Sequence, residues 1–239
     1  MDPATVMAGH PGRNLLMLIL AIDTSAVASA ALVSDVAMEG VVGNFSTEDT
    51  RSHAEVLAPG INRMLAEAGI TGSDIDAIVT GVGPGPFTGL RSGIATARTL
   101  AFVWQKPLYG MMSLDAVALE VAESTEAAPE FIVATDARRK EVYWARYTLE
   151  EGQLPQLVDG PHVGFAGDVP DLPAYGAGAG LYPDALRANA DFSSEQPDAL
   201  YLGQFALARL AAGGELPDST PLYLRESDAQ VPGPRKRAL

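Results

Sequence analysis

The chain has 239 residues, 47% of them apolar and 19% charged, with 30 Asp and Glu against 16 Lys and Arg for a formal net charge of −14. That balance describes a globular chain with a sizeable core and one or two domains, and it argues against a stand-alone nucleic-acid binder, which needs clustered Lys and Arg to meet phosphates. There is no cysteine, so disulfides and thiolate metal sites are excluded, which suits a reducing compartment.

Residues 1–16 carry Gly and Pro without an apolar period and read as a leader outside the fold, with Met17 as a natural start. Residues 15–22 are apolar and Ala28-Ser29-Ala30 mimics a signal-peptidase site. The run is short, however, Asp23 follows it at once, and Arg13 is the only basic residue just before it, so secretion is disfavoured. No segment approaches the length of a bilayer span.

Continuous apolar residues 18–22 predict a buried strand, Asp23-Thr24-Ser25 a turn, and 28–33 and 39–45 two further strands. Ser52-His53-Ala54-Glu55 has the form of a capping box. The helix it opens carries Leu57, Ile61, Met64, Leu65 and Ala68 on one face, with Pro59 inside and Gly69 at its close. His53 has no second histidine at metal-ligand spacing, since Leu57 stands four residues on.

A strand at 75–80 then leads into Gly81-Val82-Gly83-Pro84-Gly85-Pro86-Phe87-Thr88-Gly89-Leu90-Arg91. This loop matches neither phosphate-binding fingerprint. It has no Gly-Lys-Ser/Thr, and Thr88 stands where a dinucleotide loop needs its third glycine. Two prolines also remove N–H donors that an anion would use. Thr88 sits where an N-cap would, with a helix at 90–104 whose Gly93, Ala95, Ala97 and Ala101 form a thin side. That side packs either on the chain's own sheet or on a partner.

Further on, the pattern predicts a strand at 107–109 and a helix at 112–121. Ala127-Ala128-Pro129 marks a lobe boundary, and strands follow at 131–135 and 142–147 around Asp136-Ala137-Arg138-Arg139-Lys140. Asp136 and Arg138 have the form of an exposed ion pair at a turn, which is worth little. Residues 153–194 are rich in Pro and Gly and aperiodic. They predict short strands and loops, with a flexible run at Gly176-Ala177-Gly178-Ala179-Gly180. A helix at 199–210, ended by Gly213-Gly214, an extended Tyr223-Leu224-Arg225 and a short basic tail at 232–239 complete the chain.

The residues 83–91 resemble the G-P-G-S-F-T-G-L-R signature of the TsaB family, with Pro86 in place of the usual serine. The resemblance extends to Leu18-Ile19-Leu20-Ala21-Ile22-Asp23-Thr24-Ser25, to His53 and its helix, to Asp136-Ala137-Arg138 with Glu141-Val142-Tyr143, and to Tyr223-Leu224-Arg225. It implies an α/β, two-lobed, actin-like (ribonuclease-H-like) fold with mixed sheets flanked by helices. The first lobe would span 17–126, and a reduced second lobe 127–239, whose last strand or helix returns to the first.

In active members of that fold the Asp-Thr-Ser turn faces nucleotide phosphates and its aspartate helps hold a metal. Asp23, Thr24 and Ser25 therefore form a vestigial nucleotide site, unless Asp23 only closes an Asx-turn. The family is the non-catalytic, dimerising subunit of the bacterial machinery that makes threonylcarbamoyladenosine in tRNA. The resemblance implies a scaffold for the catalytic homologue TsaD, working with the ATPase subunit TsaE and reaching tRNA through the complex, in the cytoplasm. It implies no metal and no cofactor of its own, ATP or ADP only at a complex interface, and a homodimer when the partner is absent.

The signature residues are then Gly83, Gly85, Phe87, Thr88, Gly89 and Arg91. Pairing through the first two helices puts Leu57, Ile61, Met64, Leu65, Ile94, Ala97, Arg98 and Ala101 at the partner interface. Two other readings compete. A lone small-molecule kinase or ATPase of the same fold needs a second phosphate loop and acidic metal ligands. A metallopeptidase needs an H-E-x-x-H or H-x-x-x-H motif, and the sequence has neither.

Overall fold

The computed structural model describes residues 17–35, 41–47, 53–124 and 127–225. The expected leader at 1–16, Ser52 of the capping box, the side chain of His53 and the basic tail at 232–239 lie outside the described residues.

Three strands, β1 (Leu18–Asp23), β2 (Ser29–Ser34) and β3 (Val41–Ser46), form an antiparallel meander. Helix α1 (His53–Ala68) leads from β3 to β4 (Ala77–Gly81), which pairs parallel to β1. Helix α2 (Phe87–Trp104) leads on to β5 (Leu108–Met111), parallel to β4. The sheet order is β3-β2-β1-β4-β5.

Because side chains alternate along a strand, β1 feeds two cores at once. Leu20 and Ile22 point into a cluster with Leu57, Ile61, Ile78 and Ala97, under α1 and α2. Ile19 and Ala21 point the other way, into a cluster with Val79, Ala116, Leu202 and Phe205. That second face is covered by α3 (Ser113–Ala122) and by the last helix, α5 (Ala199–Ala211), which comes back from the far end of the chain.

The second sheet repeats the plan. Strands β6 (Glu130–Asp136), β7 (Glu141–Thr148) and β8 (Gln156–Phe165) form a meander, β9 (Pro173–Tyr175) runs parallel to β6, and β10 (Arg187–Ala188) runs parallel to β9. The order β10-β9-β6-β7-β8 is the first sheet's order reversed on the page, so the two lobes share one topology. The covering helices differ. Where the first lobe has the 16-residue α1 and the 18-residue α2, the second has a 3₁₀ turn at Ala166–Asp168 and the five-residue α4 (Ala177–Leu181). The chain has the two-lobed, actin-like α/β fold, with a reduced second lobe.

Three local expectations are corrected. The 153–194 stretch holds a ten-residue strand, β8, and not only short ones. Gly160 and Pro161 interrupt its alternation and shift its register against β7, which hides a strand from a period-2 reading. The glycine run at 176–180 is not an irregular loop. It forms α4, wedged so closely on β6 that a Cβ on Gly178 would come within 2.7 Å of the Ala134 and Thr135 backbone. Finally, α2 begins at Phe87, with Pro86 and not Thr88 at the N-cap. No side chain caps it, and Pro86 O accepts from Leu90 N at 3.1 Å.

Candidate functional site

Two facing loops meet at the carboxyl ends of β1 and β4. Asp23 ends β1, fully buried. Its Oδ1 accepts from Ser25 N at 2.7 Å and Ser25 Oγ at 2.6 Å, and its Oδ2 accepts from Ser113 Oγ at 2.5 Å. The first contact closes an Asx-turn. Ser113, at the start of α3, also accepts from Gly83 N at 3.2 Å, while its own N–H donates to Gly83 O at 2.7 Å. Thr24 Oγ1 donates to Gly89 O at 2.8 Å.

Glycines in and beside the signature make this fit. A Cβ on Gly81 would overlap Asp23 Oδ2, one on Gly85 would stand 2.7 Å from Ser25 O, and one on Gly93 would overlap Thr24 Oγ1. Gly83 takes φ +96°, open to glycine alone at low cost. Asp23, Thr24 and Ser25 are all buried, and the space before them is filled by the chain's own Gly/Pro loop. Among the described residues, no group of three or more His, Asp or Glu is arranged to hold a metal ion.

Burial raises the Asp23 carboxyl from 3.8 to about 6, against the opposing pull of the Ser113 and Ser25 hydrogen bonds. A raised folded-state value means the protonated form is favoured in the fold. The associated stability is complete below pH 3.8 and is lost as pH rises through about 6. We expect Asp23→Asn to remove this loss. Urea melts of the two proteins at pH 4 and pH 7 should differ in their pH dependence by about 3 kcal/mol at most, with the wild type losing more. Equal slopes would show that Asp23 is ionised at no cost.

A strap formed by residues 215–225 locks the loop to α2. Leu222 N donates to Val82 O at 2.8 Å and Gly110 N to Pro217 O at 2.8 Å. The Arg91 guanidinium sits 5.6 Å from the ring centres of both Phe87 and Tyr223, and its Nε donates to Tyr223 Oη at 3.1 Å. Phe87 and Tyr223 meet edge to face at 4.9 Å. Two turns along α2, Arg98 Nη2 donates to Ser219 O at 2.9 Å. Arg225 reaches the second lobe, donating to Ala137 O at 2.6 Å and pairing with Glu141. Asp136 and Arg138 form their own ion pair at 3.0 Å, at a turn where residues 138–140 all take positive φ.

The expected interface residues divide unevenly. Leu57, Ile61, Met64, Leu65, Ile94, Ala97 and Ala101 are buried within the single chain, facing β1, β2 and β4, and only Arg98 is exposed. This is a correction: the apolar stripe of each helix is used to cover the first sheet, and the small stripe Gly89, Gly93, Ala97 and Ala101 is the inward face of α2. The outward face of α2 carries Arg91, Ala95, Arg98 and Thr99, then Phe102, 77% exposed, and Val103, 63% exposed. Ala58, Pro59, Asn62, Arg63 and Ala66 are exposed on α1. Phe102 and Val103 were missed as candidates. The signal was available, because two large apolar residues stand off the small-residue stripe.

The family described as TsaD, tRNA N6-adenosine threonylcarbamoyltransferase, matches residues 37–168. An uncharacterised protein of Mycobacterium tuberculosis is 38% identical over 218 residues, 91% of this chain and 96% of the relative. The tRNA threonylcarbamoyladenosine biosynthesis protein TsaB of Escherichia coli is 38% identical over 139 residues, 58% of each chain, and the Bacillus subtilis protein of the same name is 32% identical over 153 residues, 63% of each. A solved structure described as YeaZ from Pseudomonas aeruginosa superimposes with a TM-score of 0.72 at 31% identity, covering 87% of this chain and all of the other. With the signature loop, the doubled meander topology and these matches in agreement, the chain belongs to the TsaB family, within the wider group of TsaD-type domains.

Proposed function

We propose that this chain is an accessory subunit in the biosynthesis of threonylcarbamoyladenosine in tRNA, docking a catalytic TsaD homologue and carrying out no catalysis alone. The observation that supports this most is the state of the Asp-Thr-Ser turn. Both Asp23 carboxylate oxygens are taken by Ser25 and Ser113, and Gly85 packs on Ser25, so the turn has no room to receive a phosphate. ATP or ADP then belongs to an interface of the complex, TsaE and tRNA join through that complex, and the cytoplasm is its place of work. The acidic chain leaves the basic tRNA-binding surface to its partners.

The partner surface is the outward side of α1 and α2. Exposed apolar residues that cluster with small neighbours mark binding sites, and Phe102 with Val103 is the largest such pair on these helices. The same surface pairs with itself when the catalytic subunit is absent, giving a two-fold dimer.

The double variant Phe102→Asp/Val103→Asp should melt within about 2 °C of the wild type, because both side chains are already in water. Its affinity for a purified TsaD homologue, measured by calorimetry, should fall at least about 100-fold, as for truncated apolar anchors at an interface. Unchanged affinity would overturn the assignment of this face. Steady ATP turnover by the chain alone, lost in Asp23→Asn, would overturn the accessory role.

A further inference from the structure

Behind the first sheet, on the side away from α1 and α2, lies a cleft of about 670 Å³, within the ~300–1,000 Å³ range of small-molecule sites. It is walled by Met112 at the N-cap of α3, Leu154 before β8, Phe205 of α5 and Leu222 of the strap, and it does not include Asp23. Three charged residues line this apolar space. Asp218, on the strap, already accepts from Thr220 N at 2.8 Å, which leaves Asp115 and Arg209, of opposite sign. Asp115, on the first turn of α3, is 9% exposed, and its Oδ1 accepts from the fully buried Tyr147 hydroxyl at 2.8 Å. Arg209, on the last turn of α5, is exposed. Its charge lies near enough to be felt at Asp115, yet among the described residues no ion pair joins the two.

A buried carboxylate held in place by a tyrosine, without a cation in contact, is costly unless something completes it. Neither the loop chemistry nor the partner face uses it. We propose that this cleft binds a small zwitterion with an apolar body, such as an apolar α-amino acid, its ammonium on Asp115 and its carboxylate on Arg209. A simple amine would leave Arg209 repelling it, and a simple acid would face the Asp115 carboxylate. Only a molecule carrying both charges satisfies both ends. Burial holds the Asp115 carboxyl at about 6, so occupancy weakens as pH falls below that value and the carboxylate is protonated.

The strap connects this cleft to α2. Asp218, Thr220 and Leu222 line the cleft, while Ser219 and Tyr223 between and beside them hold Arg98 and Arg91. A ligand in the cleft therefore braces the segment that fixes the outward face of α2.

The full chain, labelled with ¹⁵N, is titrated with L-phenylalanine, 2-phenylethylamine and 3-phenylpropanoate. Saturable shifts at Met112, Phe205 and Thr220 are expected with L-phenylalanine at a Kd of about 1 mM or below, and at least about tenfold weaker binding of the amine and of the acid. Arg209→Gln, a change at an exposed side chain, should weaken L-phenylalanine at least about tenfold without altering the melting temperature, and Asp115→Asn should do the same. If Asp115→Asn does not fold, the Arg209→Gln comparison and the pH dependence of the wild type carry the test. No saturable shift, shifts that map outside the cleft, equal binding of all three probes, or binding unaffected by Arg209→Gln would each overturn the proposal.

Discussion

Ala97→Glu is expected to abolish the fold and not merely a contact. Ala97 is fully buried on the inward face of α2, in one cluster with Leu20, Ile22, Leu57, Ile61 and Ile78. A glutamate there adds a methylene and a carboxyl, four heavy atoms, to close-packed space between a helix and a sheet. The group must ionise unpaired, protonate, or push α2 off β1 and β4. Each route costs several kcal/mol, so a total above about 4 kcal/mol is expected, a large share of a domain's whole stability. Circular dichroism should show loss of cooperative melting, or the protein should be recovered only from the insoluble fraction. Ala97→Ser, nearly the same size with a hydroxyl that can donate to a carbonyl one turn back, should cost about 1–2 kcal/mol and remain folded. A well-folded Ala97→Glu protein would mean that α2 is turned the other way and that the small stripe, not Phe102 and Val103, faces outward.

Gly81→Ala should be the most damaging single methyl in the loop. The new Cβ overlaps Asp23 Oδ2 and lies 2.8 Å from Ser113 Oγ. Asp23 cannot swing aside, because three hydrogen bonds fix it and it has no exit to water. Moving it leaves a buried carboxylate and Ser113 short of partners, at about 1–3 kcal/mol for each group. A loss of about 3–5 kcal/mol is expected by urea denaturation. The cause can be isolated by a second change. In an Asp23→Ala background the obstructing oxygen is gone, so Gly81→Ala should then cost less than about 1 kcal/mol. Additive losses in the double variant would place the damage elsewhere.

The elements that could be read from the sequence are those whose burial is complete or whose loop chemistry is unusual. β1 is apolar at every position before Asp23, and the sheet buries it on both faces. The Gly/Pro loop stood out by its composition, and the surface it packs against is the Asp23 turn. What the pattern could not say is which body covers an apolar stripe. Leu57, Ile61 and Ala97 share a face in either case, and only the tertiary arrangement shows that the chain itself takes it up. Once that is known, the phase of α2 follows: Phe102 lies five residues beyond Ala97, about 140° around the helix, and must point outward.

Pairs distant in sequence were also illegible. Nothing near Asp115 signals Tyr147, 32 residues on, which reaches it only because α3 is packed against the second sheet. β8 was hidden for a local reason, since Gly160 and Pro161 break its alternation at the point where its pairing slips.

The return of α5 to the first sheet has a consequence for how the protein is made. Its N-cap region is tied to β2 by Ala199 N donating to Ser29 Oγ at 3.0 Å, across 170 residues of chain. Until α5 arrives, the face of the first sheet bearing Ile19, Ala21, Val33 and Val79 lacks one of its two covering helices. From the end of β5 at Met111 to the end of α5 at Ala211 is 211 − 111 = 100 residues. At the ribosome's rate of about 5–20 residues per second, that is about 5–20 s in which five finished strands wait with an apolar surface open. Through the middle of its synthesis the nascent chain thus exposes apolar surface of the kind that aggregates, and the amino-terminal lobe, although first out of the exit tunnel, is completed last.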